Sequence, residues 1–389
     1  MSRESRRLSS LPPYAVGELA VVKRKLLADG VDVIDLSVGD ADVAPPGVAV
    51  EALARAAREP AMSRYAFQSG LREFREAAAA YMRRRFGVEV DPVTEILPLL
   101  GSKEGLAHLA LAVTDPGDVC ILPDPGYPAY IGGAVLSGAE PVRVPLRSER
   151  DFLLELDELP SDVLDRARLL YLNYPNNPTS AIAGPDYLAR VVAVCREHAI
   201  VLAYDNPYVE LTFDGHRAPS VLETDGAREV TLEFHSLSKS FSMTGWRIAF
   251  AVGNAELIAM LSRLKGFVDS GVFLAVQRAG AAALEHAEQL IPPFVALLTE
   301  RRDALLTALA EMGMPAEPPR ATMFVWVRVP TTETAAAFAQ RVLERTGVLV
   351  LPGSAFGEGG EGYVRLALTV TSDRLREAAG RIGSLLARA

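Results

Sequence analysis

Residues 233–249 read Glu-Phe-His-Ser-Leu-Ser-Lys-Ser-Phe-Ser-Met-Thr-Gly-Trp-Arg-Ile-Ala, and the interpretation of the whole chain turns on them. Lys239 stands between Ser238 and Ser240, just past the apolar run 230–234, which has the character of a buried strand. Eight residues on, Arg247 follows Gly245 and precedes a second apolar run, 248–252. A lysine at a strand end, in a short loop with hydroxyls and a following arginine, suits a phosphorylated carbonyl compound. Its amine forms an imine with the carbonyl, while Ser236, Ser238 and Arg247 hold the phosphate. Loop lysines and arginines are commonly no more than solvated surface, so the rest of the chain decides.

A length of 389 residues is long for one core and predicts two domains. The net charge of −9 leaves no basic excess to neutralise a phosphate backbone, which argues against nucleic acid as a partner. The densest basic run, Arg83-Arg84-Arg85, reads as a solvated helix end. Cys120 and Cys195 lie in apolar segments with no CxxC partner and no nearby histidine, so they read as core residues and not as metal ligands or a disulfide. The N-terminus lacks an apolar signal region, and no apolar run approaches a bilayer span; a cytoplasmic protein without a membrane partner is expected.

Residues 1–12 are polar and basic and suggest a loose arm, followed by a helix opened by Pro12-Pro13 over 15–28 and a strand over 31–36. Helices are predicted over 48–58 and 71–85. From 95 to 253 strand-like and helix-like segments alternate. Strands fall at 96–100, 119–122, 141–144, 169–172, 200–203, 230–234 and 248–252, with helices such as 104–113 and 187–198 between them. The pattern predicts an α/β fold with a mostly parallel seven-stranded sheet flanked by helices. Beyond Gly253 a long amphipathic helix carries Phe294, Leu298, Arg301, Leu305 and Leu309. A smaller α+β unit comes next, with strands near 323–329, 348–351 and 363–368 and a final helix over 374–386. The expected organisation is a large domain over 45–285 and a small one built from 1–44 together with 286–389.

In open α/β sheets a ligand lies beyond the carboxyl ends of the strands, so the residues just past each strand end test whether Lys239 serves such a compound. After 96–100 comes Gly101-Ser-Lys-Glu-Gly105, a helix opening able to bind an anion, or a plain cap. After 119–122 comes Tyr127 within Pro-Gly-Tyr-Pro, placed to stack on a flat ring or on its own domain. After 169–172 comes Asn173-Tyr-Pro-Asn176-Asn177, its paired asparagines hemmed by prolines. After 200–203 come Asp205 and Tyr208; an acid closing so apolar a strand calls for a cationic partner. Together these are the groups that a phosphorylated aromatic aldehyde with a basic ring nitrogen requires. Pyridoxal 5'-phosphate is such a compound.

The chain resembles the class I/II aminotransferases, pyridoxal-phosphate enzymes of fold type I, from about Leu11 onward. The resemblance rests on Asp35-Leu-Ser-Val-Gly39, Tyr65 with Gly70, Gly101-Ser-Lys-Glu-Gly105, Pro125-Gly-Tyr-Pro128, Asn176-Asn-Pro-Thr179, Asp205 with Tyr208, Ser236-x-x-Lys239 with Arg247, Pro352-Gly-Ser-Ala-Phe-Gly357, and Arg365. It implies that Lys239 anchors the cofactor and shuttles the proton, and that Asp205 keeps the pyridine nitrogen protonated. Asn177 and Tyr208 then bond the 3'-oxygen, and Tyr127 stacks on the ring. Gly101, Ser102, Lys103 (through its backbone), Ser236, Ser238 and Arg247 hold the phosphate, and Tyr65 reaches the phosphate of the other subunit of a homodimer. For substrate, Arg365 clamps the α-carboxylate with Asn177 beside it, and Gly39 leaves that carboxylate room.

One position departs from the family: Ser180 stands where a glycine usually follows Asn-Pro-Thr, so a positive φ there would strain the turn. Gly101-Ser-Lys-Glu-Gly-Leu106 and Val268-Asp-Ser-Gly-Val-Phe273 look most like LL-diaminopimelate aminotransferases and their alanine-aminotransferase relatives, with 2-oxoglutarate as the expected acceptor. Aspartate and N-succinyl-diaminopimelate stay open as substrates, and so does β-elimination on the same fold. Ser236-Leu-Ser-Lys239 also matches the S-x-x-K of acyl-transfer enzymes, but the S-D-N and K-T-G elements of that class are absent.

Overall fold

A computed structural model of the protein describes residues 4–12 and 16–387. The expected helix opening at Pro13 and Ala15, and residues 1–3 of the expected arm, lie outside those residues. Twelve strands are formed among the described residues. They are β1 Ile34–Asp35, β2 Ile96–Leu99, β3 Val119–Asp124, β4 Glu140–Pro145, β5 Ala167–Leu172, β6 Val201–Asp205, β7 Thr231–Ser236, β8 Ala249–Gly253, β9 Phe324–Arg328, β10 Val348–Leu349, β11 Leu351–Pro352 and β12 Tyr363–Ala367.

Seven of them make one sheet in the order β2-β8-β7-β6-β5-β3-β4. The pairs from β4 through β7 are parallel, and β8 runs antiparallel to both of its neighbours. Strands β2, β3 and β8 are buried at every residue, which is why they read as unbroken apolar runs and not as alternation.

Helices cover both faces of this sheet. On one face, Leu106, Leu109 and Ala110 of the helix Ser102–Val113 pack with Tyr130, Phe234 and Leu261. The spacing of three and four residues puts the apolar side chains in one stripe, and each buried leucine contributes roughly 1.5–3 kcal/mol. Gly105 lets that helix approach the sheet, since a Cβ there would stand 2.6 Å from Leu99 Cδ1 and 2.9 Å from Phe234 Cε1. On the other face, Tyr187, Leu188, Val191 and Val192 of Pro185–Glu197 pack with Ile121, Leu170 and Leu202.

A second sheet, β11-β12-β9, is antiparallel, and β1 pairs in parallel with β10. Helices Ala287–Glu311, Ala335–Thr346 and Ser372–Leu386 close this core, to which the N-terminal Ile34 and Leu36 contribute. Two expectations are corrected here. The strand expected over 348–351 changes partner at the buried Val350: residues 348–349 pair with β1, and 351–352 pair with β12. The strand expected over 31–36 pairs only at Ile34–Asp35. Of the expected loose arm, Arg6–Ser9 is helical, and Leu11 and Pro12 line the large cavity at the strand ends. Cys120 and Cys195 are buried, and burial pushes both thiols up to about 12. Among the described residues no helix is long and apolar enough to cross a membrane.

Candidate active site

The carboxyl ends of the parallel strands open onto a cavity of about 1020 Å³ whose other wall comes from the smaller sheet and the N-terminal segment. Lys239 enters it from the turn Leu237–Ser240 at the end of β7, where Ser236 Oγ accepts from Ser238 N at 3.2 Å. The Lys239 ammonium donates to the Gly39 carbonyl at 2.5 Å. Burial brings its pKa down to about 8, and the positive charges of Arg365 and Arg247 add to the effect against Asp40 and Asp205. An amine that loses its proton so near neutrality is a usable nucleophile and base.

Asp205 closes β6 on the cavity floor. One carboxylate oxygen, Oδ2, accepts from the Tyr130 hydroxyl at 2.7 Å, and the Asp205 carbonyl accepts from Asn173 Nδ2 at 2.7 Å. The other oxygen, Oδ1, is buried with no hydrogen-bond partner. Burial pushes the acid up to about 7, opposed by the Tyr130 hydrogen bond and by Lys239. A buried carboxylate oxygen without a donor in a cavity wall is what a protonated ring nitrogen requires, so the residues present fit pyridoxal phosphate.

Asn177 is held through its backbone N–H, which donates to Asn173 Oδ1 at 2.7 Å, and its own Oδ1 accepts from Arg365 Nη1 at 2.7 Å. Tyr208 meets the Phe324 ring edge-on at 5.6 Å, and burial raises its phenol well above the ordinary value. Tyr127 lies edge-on to Tyr130 at 5.7 Å, with the Lys103 ammonium 5.8 Å from its ring centre.

The anion corner is built from backbone. Gly101, at φ +83, opens the helix Ser102–Val113 without a side-chain cap, leaving first-turn N–H groups for a ligand. A Cβ at Gly101 would stand 2.1 Å from Nη2 at the tip of the exposed Arg247 side chain, but it is the positive φ that calls for glycine here. Arg247 is exposed and anchored by Nη1 donating to the Thr244 carbonyl at 2.8 Å. Ser102, Lys103, Ser236 and Ser238 line the same cavity.

Arg365 projects from β12. Its Nη2 donates to the Ser37 carbonyl at 2.5 Å, and its guanidinium lies 3.9 Å from the centre of the Phe324 ring and 4.9 Å from that of Phe356. Two aromatic faces and two acceptors hold the fork in place. At Gly39, which was expected to leave room for a carboxylate, a Cβ would meet Phe324 Cζ at 2.7 Å and Lys239 Nζ at 3.4 Å, so the missing side chain also makes room for that ring and that amine. Ser180 does adopt φ +64, but its hydroxyl is 2.6 Å from Thr322 Oγ1 and donates to the Phe324 carbonyl at 3.0 Å. Tyr65 stands apart from the other expected residues. It is 74% exposed, 6.1 Å from Phe67, and does not line this chain's cavity.

Tyr130, Asn173, Phe324 and Ser37 were not expected to act in the site. Asn173 and Ser37 sit inside motifs already singled out, whereas Tyr130 lies in the first turn of a helix, past the strand-end loop. The pattern Tyr127-Pro128-x-Tyr130 opening a helix was the signal available for it.

Residues 31–382 match the family model for aminotransferase class I and II. LL-diaminopimelate aminotransferase of Maridesulfovibrio salexigens is 44% identical over 380 residues, covering 97% of this chain and 98% of that protein. Among solved structures, apo-BacF from Bacillus subtilis is similar at TM-score 0.96 and 34% identity, with 99% of this chain and 98% of that one covered. The probable N-succinyldiaminopimelate aminotransferase from Thermus thermophilus is similar at TM-score 0.90 and 40% identity, with 95% and 99% covered. A full-length likeness on sequence and structure thus joins a cavity already fitted for the cofactor: the chain belongs to the class I and II aminotransferases, pyridoxal-phosphate enzymes of fold type I.

Proposed function

We propose that the enzyme moves an amino group from LL-diaminopimelate to a 2-oxo acid, 2-oxoglutarate being the acceptor, in two half-reactions at one site. The observation that carries the transfer chemistry is the Asp205 Oδ1 atom, buried without a donor in the cavity that also holds Lys239 and Arg365. The choice of donor is supported by the full-length relatives named LL-diaminopimelate aminotransferase.

When bound, the cofactor supplies an aldehyde carbon for covalent attachment and a protonated ring that takes up the electron pair left at the substrate Cα. Asp205 would hold the ring nitrogen in its protonated form through Oδ1, while Tyr130 fixes Oδ2. Asn177 and Tyr208 would bond the 3'-oxygen, and Tyr127 would cover the ring. Gly101, Ser102, Lys103, Ser236, Ser238 and Arg247 would take the phosphate. Arg365 holds the substrate carboxylate, exchanging its contact with the Ser37 carbonyl for a two-pronged one. With the cofactor in place, Lys239 would hold and move the substrate Cα proton at its Nζ; a pKa brought down to about 8 suits an amine that both takes and gives a proton.

The exposed Tyr65, Phe67 and Phe267 support a homodimer in which Tyr65 completes the phosphate site of the second copy. On this reading residues 45–285 form the cofactor domain and 1–44 with 286–389 the smaller one, and the two buried free thiols suit a cytoplasmic setting.

The test is a half-transamination screen. LL-diaminopimelate, alanine, aspartate and glutamate are each mixed with the holoenzyme, and conversion to the pyridoxamine form is followed spectrally. Fastest conversion by LL-diaminopimelate is expected; release of ammonia without conversion would replace transfer by elimination. Borohydride reduction and peptide mass analysis should place the pyridoxyl adduct on Lys239, and an adduct elsewhere overturns the assignment.

A further inference from the structure

Among the charged side chains of the cavity wall, Arg143 and Glu358 take no part in holding the cofactor or the α-carboxylate. Arg143 lies on β4, in register with Leu122 of β3, and Glu358 lies in the short turn Glu358–Gly360 from the other side of the cleft. Both are exposed to the cavity, and neither has an ion-pair partner among the described residues. A third lining carboxylate, Glu361, is engaged: its Oε1 accepts from Ala335 N at 2.6 Å and from Gly362 N at 3.1 Å.

Arg143 comes from the large sheet and Glu358 from the turn between β11 and β12, yet both backbones are tied to the end of β3. The turn bearing Glu358 is seated on the end of β3, because Gly359 N donates to Asp124 Oδ1 at 3.0 Å and Gly126 N donates to the Phe356 carbonyl at 2.8 Å. The seat is tight: a Cβ at Gly357, φ +131, would stand 2.0 Å from Asp124 Oδ1. Asp124 is buried and feels the charge of both. Burial raises its pKa, Arg143 opposes the rise and Glu358 adds to it.

A guanidinium and a carboxylate lining one ligand cavity, neither with an ion-pair partner among the described residues, match a ligand end that carries both an anion and a cation. We propose that Arg143 and Glu358 form the subsite for the distal end of the substrate. Arg143 takes a distal carboxylate and Glu358 a distal ammonium. This rests on the aminotransferase reading above and deepens it. A 2,6-diamino diacid uses both residues, whereas a 2-oxo diacid acceptor, which has no distal ammonium, uses Arg143 alone. One site thereby serves both half-reactions.

The test uses three amino acids of the same chain length: LL-2,6-diaminopimelate (distal carboxylate and ammonium), L-2-aminopimelate (carboxylate only) and L-2-aminoheptanoate (neither). Each is reacted in single turnover with the wild-type holoenzyme and with the Arg143→Ala and Glu358→Gln variants. Arg143→Ala should lower kcat/KM for the first two relative to aminoheptanoate by about tenfold or more, the scale of a charge-assisted hydrogen bond. Glu358→Gln should lower diaminopimelate relative to 2-aminopimelate by about tenfold. Equal losses across the three substrates, or none, overturn the subsite and leave the aminotransferase reading standing. A wild-type enzyme that converts none of the three while converting other amino acids overturns the proposed donor, and the subsite with it. Should Arg143→Ala fail to fold, judged by the visible circular dichroism of the bound cofactor, Arg143→Gln is read in the same way.

Discussion

Replacing Tyr130 by phenylalanine isolates one hydrogen bond in the centre of the site. The ring is stacked on Tyr171 at 4.9 Å and 16° and meets Tyr127 edge-on at 5.7 Å, contacts that phenylalanine keeps. What is lost is the hydroxyl that donates to Asp205 Oδ2 at 2.7 Å. A hydrogen bond to a buried charged group is worth about 1.5–3 kcal/mol, which at 1.36 kcal/mol per pH unit raises the Asp205 pKa by about one to two pH units.

The sign depends on which state holds the proton. In the apoprotein Asp205 already titrates at about 7 against an ordinary 3.8, because burial disfavours its charge. Between those two values the folded state carries a proton that the unfolded state has lost, so this group makes stability fall as the pH rises through that window. In Tyr130→Phe the fall continues to higher pH before levelling. Thermal unfolding of the two apoproteins from pH 5 to 9, with Asp205→Asn as the baseline lacking the titration, should show the variant losing about 1.5–3 kcal/mol more on the alkaline side. Cofactor affinity at pH 8 should drop by about tenfold or more, since the acid that meets the ring nitrogen is then less ionised. Superimposable pH profiles together with an unchanged cofactor dissociation constant would refute the reasoning.

Arg365→Ala should raise the KM for amino acids by about a hundredfold, the scale of a lost two-pronged contact, while the cofactor dissociation constant moves far less; equal changes in both would show that the clamp serves the cofactor. At Ser180, alanine keeps the cost of a positive φ and loses the bonds to Thr322 and Phe324, whereas glycine loses only the bonds. Ser180→Ala should therefore destabilise more than Ser180→Gly, by about 1 kcal/mol in denaturant unfolding, and the reverse order would contradict the account. Sedimentation should show a dimer, and mixing inactive Lys239→Ala with inactive Tyr65→Ala chains should restore part of the activity if Tyr65 acts across the interface. No restoration in mixed dimers would remove it from the shared site.

Much of this enzyme was legible from short windows of sequence. The apolar runs named the seven strands of the large sheet; those of β2, β3 and β8 are unbroken because these strands are buried at every residue, where alternation disappears, whereas the edge strand β4 is largely exposed. The groups after each run identified the cofactor because strand order and direction carry all those ends to one side of the sheet. Gly101, Lys239 and Asp205 owe their roles to local geometry that their immediate neighbours dictate: a helix opening at positive φ, a strand-end turn and a buried strand end. Tertiary structure decided the rest, since its contacts join residues far apart in the chain. Tyr130 and Asp205 are 75 residues apart, Arg365 and Asn177 are 188 apart, and Arg365 and Ser37 are 328 apart. The change of partner at Val350 likewise depends on where β1 and β12 lie. Periodicity and turn chemistry are settled within about a dozen residues, whereas the partner of a buried polar atom is settled by how whole sheets and helices pack. Hence the cofactor's identity could be read along the chain, while which oxygen of Asp205 stays open for it, and that Arg143 and Glu358 line one cavity, could be read only across the fold.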